Sequence, residues 1–174
     1  MVNEEHRWEA PGTLELVRTF LNTALPPGDQ DGARLLDLRA DPARWAAAFP
    51  GVPRPAAERV PELVELRDGL LRLLEADPAP DDAAWLNGWC ERTGLGVTII
   101  VEGGQLAVGL THPAGSGLAG AVVEAVAAAL TQGTWSRLRR CPDCRLVFWD
   151  RVRRAAASPD PGRPGDARPP PART

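Results

Sequence analysis

The chain has 174 residues, 44% hydrophobic and 25% charged, with a net charge of −3. These totals exclude a fibrous or wholly disordered chain and suit one globular domain with a small appendage. The charge is uneven: residues 1–134 carry ten Arg against nineteen Asp plus Glu, a net of −9, and residues 135–174 carry ten Arg against four Asp, a net of +6. An acidic body with a basic end points to an anionic partner for that end, with a solvated basic tail as the plainer alternative.

Residues 1–8 show no basic and apolar leader pattern, so no signal peptide is expected. Leu14, Val17, Leu21 and Leu25 recur at helical spacing, with Thr13 as the expected N-cap. Asp41 and Pro42 predict a helix start, and residues 43–49 present Trp45, Ala48 and Phe49. A longer helix is expected over residues 55–76, with Pro61 in its first turns or dividing it. Asp81 or Asp82 should cap a helix to Thr93, which Gly94 stops. Trp85 and Trp89 lie at i, i+4 on it.

Residues 97–101 are β-branched throughout, residues 102–105 signal a tight turn, and residues 106–110 form the partner strand of a β-hairpin. Residues 118–138 predict an alanine-rich helix at the centre of the core, whose main part ends at Gly133, with 135–140 as a short helical continuation. Its apolar stretch, 118–130, is interrupted by Glu124 and is too short to span a bilayer. The expected fold class is therefore mainly α with one β-hairpin, α+β, in a cytoplasmic protein without a membrane partner. Residues 1–134 form a helical domain with the hairpin, 135–154 a short basic segment, and 155–174 a tail too poor in large apolar residues to order itself.

Chemistry concentrates in the basic segment. Cys141-Pro142-Asp143-Cys144 is a CxxC that can aim two thiolates at one metal ion. A structural zinc site needs four ligands, and no Cys or His follows Cys144. Cys90 reads as a buried small hydrophobe, and His6 and His112 lack ligand spacing. Three fates stay open for Cys141 and Cys144: half of a zinc site completed by a second chain, a knuckle with two free thiols, or a redox pair. Redox pairs prefer a strand before and a helix after, the reverse of the order here. Arg137, Arg139, Arg140, Arg145, Arg151, Arg153 and Arg154 surround the pair and suit phosphate contacts. Trp45, Phe49, Trp85 and Trp89 are candidates to line a small-molecule pocket, though aromatic residues at helical spacing commonly form plain core.

The segment 137–150, with its basic lead-in, cysteine pair, Phe148, Asp150 and following arginines, resembles the opening of a CGNR zinc finger. Residues 14–23 are similar to the first helix of that family, and 36–45 to its next segment, an Asp-Leu followed by a helix bearing Trp. The resemblance runs over about residues 12–150 in order and element type. It implies an ABATE-type N-terminal sensor domain and a zinc finger that contacts DNA, in stress-induced transcription regulators. The second cysteine pair and the Cys-Gly-Asn-Arg quartet are absent from this chain. The expected function is thus a non-enzymatic transcription regulator with a degenerate finger. Its partners would be DNA, a small-molecule effector or protein, and a second copy of the chain. The alternative is a protein-interaction or small-ligand module that has lost DNA binding. An enzyme is disfavoured, because no base and nucleophile set is evident in the sequence.

Overall fold

The computed structural model describes residues 9–23, 59–75 and 77–151. The expected helix over 43–49, with Trp45 and Phe49, lies outside the described residues, as do Arg153, Arg154 and the tail. Among the described residues the elements are α1 (Leu14–Asn22), α2 (Val60–Glu75), α3 (Pro80–Thr93), β1 (Gly96–Glu102), β2 (Gln105–Thr111), α4 (Gly117–Thr131), β3 (Leu138–Arg140) and β4 (Val147–Trp149). The fold is mainly α, as expected, with two antiparallel hairpins where the sequence predicted one.

Helix α1 buries Leu14, Val17, Phe20 and Leu21 on one face. Thr13 makes no side-chain capping bond; the Glu15 carboxylate instead accepts the Ala10 N–H at 2.7 Å. The chain enters through Gly12, whose φ of +56° is open to glycine at little cost, so the entry turn needs no Thr13 cap. Pro61 falls in the first turn of α2, where its missing N–H has no helical partner to lose. Asp82 accepts the Ala79 N–H at 2.9 Å at the start of α3, and Gly94 closes that helix with φ +66°.

Helix α4 is the central element, and it packs on α1, α2 and α3. Leu118, Ala119, Gly120, Val122, Val123, Ala125, Val126 and Ala129 are buried on it. Residues 114–131 are long and apolar enough, by composition alone, to cross a membrane, yet this helix lies in the core of the fold. Its alanines let the neighbouring helices approach closely.

The expected helical continuation over 135–140 is not formed. Gly133, at φ +66°, turns the chain out of α4. Residues 135–137 make one 3₁₀ turn, and 138–140 become strand β3, paired with β4 in the register Leu138↔Trp149, Arg139↔Phe148, Arg140↔Val147. Leu138, Val147 and Trp149 are buried in the same core as α1, α2 and α4. The apolar side chains of β3 and β4 gain more by reaching that core from one face of a hairpin than from a helical turn.

One polar side chain ties the β3–β4 hairpin to α1 beside their shared apolar core. Asn22, 1% exposed, donates its Nδ2 to the Val147 carbonyl at 2.9 Å, and its Oδ1 accepts the Val147 N–H at 2.7 Å. The carboxamide completes the outer edge of β4 as a neighbouring strand would.

Candidate anion-binding knuckle

The CxxC forms the turn between β3 and β4. The Cys141 N–H donates to the Leu146 carbonyl at 2.8 Å, and the Arg145 N–H donates to the Cys141 carbonyl at 3.0 Å. Arg145 closes the turn in the left-handed region, at φ +63°. Cys141 is buried and Cys144 half-buried. Burial pushes the Cys141 thiol up, but the backbone N–H groups of Cys144 and Asp143 and the Cys144 thiol all point at its sulfur, and the net effect holds it below its ordinary value. Burial and the neighbouring Cys141 sulfur push the Cys144 thiol up.

Two backbone donors on one sulfur suit a thiolate, and so a metal knuckle. The pair supplies two ligands of the four. Among the described residues no group of three or more His, Cys, Asp or Glu converges to hold an ion. Cys90 is on α3, and burial raises its thiol above the ordinary value. A thioredoxin-type setting is also missing, since the pair joins two strands rather than a strand and a helix.

Beside the turn lies a cleft of about 550 Å³, lined by Leu74, Glu75, Arg139, Arg140, Cys141, Pro142, Arg145 and Phe148. Alternation along β3 separates its arginines: Arg139 is exposed and Arg140 half-buried. Glu75, at the end of α2, faces two of them. Arg140 donates to its Oε1 at 2.7 Å, and Arg145 lies 3.3 Å from the same oxygen. One carboxylate thus holds two guanidinium groups at the rim of one cleft.

The other arginines divide. Arg137 donates to the carbonyls of Asp150 and Arg151 at 3.0 and 2.9 Å and stacks 4.5 Å over Trp149, so it closes the open end of the hairpin. Arg151 is exposed at that end. The structure therefore gathers Arg139, Arg140 and Arg145 with Cys141 at one cleft and sets Arg137 to a structural task, and Arg153 and Arg154 lie outside the described residues.

Trp85 and Trp89 pack edge to face with centroids 6.3 Å apart. Trp89 is fully buried in the core, with the Arg92 guanidinium 3.7 Å over its ring. Trp85 lies so close to Gly69 of α2 that a Cβ there would overlap its ring. The pair packs α3 against α2.

Sequence reading missed two features. Glu75 pairs with Arg140 and Arg145 across 65 and 70 residues of chain, a pairing with no local signal. A second set joins Ser116, His112 and Glu124: Ser116 Oγ lies 2.6 Å from His112 Nδ1, and His112 Nε2 lies 3.5 Å from Glu124. Ser116 Oγ donates to the Pro113 carbonyl at 2.6 Å, and the direction of its bond with the ring nitrogen follows the His112 tautomer. The spacing of four and eight residues at a helix start is its sequence signal. The set acts as a clasp between β2 and α4, and a side chain at Gly120 would collide with it.

No protein-family model matches the chain, and no curated protein is significantly similar to it.

Proposed function

We propose that this chain is a non-enzymatic regulator whose β3–β4 knuckle contacts nucleic acid through its backbone phosphates. The observation that carries the reading is the cleft that gathers Arg139, Arg140 and Arg145 around Phe148 and Pro142. Guanidinium groups bind phosphate oxygens in a bidentate fork, and an aromatic wall beside them accepts a base or sugar face. The resemblance of 137–150 to the start of a CGNR finger agrees with this chemistry.

Glu75 is part of the proposal. It occupies Arg140 and Arg145 in the free protein, so a phosphate must exchange with a carboxylate. Such exchange keeps affinity modest and salt-dependent. Zinc, in this reading, would be held by Cys141 and Cys144, with two further donors coming from a second chain. Its contribution would be to fix the turn that carries Arg145.

Fluorescence anisotropy of a labelled 20-base-pair duplex over a salt series tests the reading. Removing one arginine that binds a phosphate should reduce the slope of log K against log salt by about 1. Arg139→Ala combined with Arg145→Asn should reduce it by about 2; Asn is chosen because it tolerates the left-handed backbone at 145. Glu75→Gln should tighten binding. Absence of salt-dependent binding in the wild type, or full binding by the double variant, refutes the proposal. Metal analysis bears on zinc separately: about half a zinc per chain supports a site shared by two chains.

A further inference from the structure

The β1–β2 hairpin is turned inside out. Its register pairs Val97↔Leu110, Ile99↔Val108 and Val101↔Leu106, so these six side chains share one face. Five of the six point to solvent, and Leu110 is half-buried. Val97, Ile99, Val101, Leu106 and Val108 are 70%, 63%, 73%, 79% and 69% exposed. The opposite face carries Gly96, Thr98, Ile100, Ala107, Gly109 and Thr111, mostly small or polar. A half-buried hairpin ordinarily places its large apolar residues inward and its polar ones outward. Here the order is reversed, and the outward face carries no charge of the kind that protects a solvent-facing strand.

We infer that this face is the seat of a homodimer, in which a second copy of the chain packs its own β1–β2 face against it about a two-fold axis. Area and charge favour a second copy. At about 25 cal/mol per Å² and 1.5–3 kcal/mol for a full side chain, a whole side chain offers on the order of 60–120 Å². At the exposures above the face is then about 300 Å², the size of a large apolar patch on a monomeric protein. Two such faces together remove about 600 Å², the scale of a weak, concentration-dependent contact. A patch with no charge also meets its own image without repulsion, as an isologous contact requires. The hairpin lies on a different element from the cysteine knuckle, so this inference does not rest on the nucleic-acid reading.

The test is sedimentation velocity of the full chain from about 1 to 500 μM, with Ile99→Glu/Val108→Glu alongside. Both residues are exposed in the single chain, so the variant should keep its circular dichroism and thermal midpoint at low concentration. The wild type should show a concentration-dependent dimer, and the variant a dissociation constant raised at least a hundredfold. Mixing that variant with Ile99→Lys/Val108→Lys should restore a mixed dimer, because opposite charges then meet across the interface. A wild type that stays monomeric over the whole range overturns the inference. So does a dimer that survives the Glu variant, or a wild type that stays monomeric and floats with phosphatidylcholine vesicles.

Discussion

Asn22→Ala should undock the second hairpin. Asn22 gives both of its carboxamide groups to the backbone of Val147, at 2.9 and 2.7 Å, across 125 residues of chain. Asn22 and Val147 are each 1% exposed, so water does not replace the missing partner in the folded state. A buried donor or acceptor left unsatisfied costs about 1–3 kcal/mol, and the variant strands one of each. The expected loss is about 2–6 kcal/mol, a large part of the 5–15 kcal/mol typical of a whole domain. Urea unfolding followed by tryptophan fluorescence measures it, with Trp149 on the affected strand. Hydrogen exchange at the Val147 amide separates local from global opening. Asn22→Asp should also destabilise, since it keeps an acceptor for the Val147 N–H but turns a second oxygen toward the Val147 carbonyl. A loss below about 0.5 kcal/mol, with Val147 exchange unchanged, would refute the reasoning.

Other substitutions probe other parts of the fold. Gly69→Ala would drive a methyl into the Trp85 ring; overpacking of this kind costs about 1–3 kcal/mol, read as a lower urea midpoint. Gly120→Ala should destabilise by a similar amount through collision with Ser116 and His112, and Ser116→Ala placed in the same chain should recover part of the loss. Cys90 has a raised thiol pKa in the folded state because it is desolvated, so iodoacetamide at pH 8 should modify it more slowly than the same residue in urea. The unfolded chain ionises this thiol first as pH rises through about 9, so it binds fewer protons than the folded chain there. Stability should therefore fall with rising pH in that window, and Cys90→Ala should flatten the fall.

Local pattern carried much of the architecture. Helical spacing of apolar residues in α1, β-branched residues in β1, a Gly-Gly turn and the alanine run of α4 each specify an element through bonds made within or beside it. Gly94 and Gly133 mark chain reversals because a left-handed backbone suits glycine there. The cysteine pair and the arginines around it were legible from their spacing, but the segment before them, read as helix, forms strand β3.

Interactions over a few residues thus set the elements and their turns, and chain order alone put cysteines and arginines together at the knuckle. Tertiary structure decided the rest. Residues 138–140 became a strand because Leu138 and its partner strand reach a core built by helices far away in the chain. Among the described arginines, Arg139, Arg140 and Arg145 line one cleft, where Glu75 pairs with the last two, while Trp149 and two carbonyls hold Arg137 at the open end of the hairpin. The outward apolar face of β1–β2 was invisible in the alternation itself, since an alternating strand does not say which face meets the body. That choice is made by long-range packing, where loop-closure entropy and the fit of the whole core outweigh any local preference.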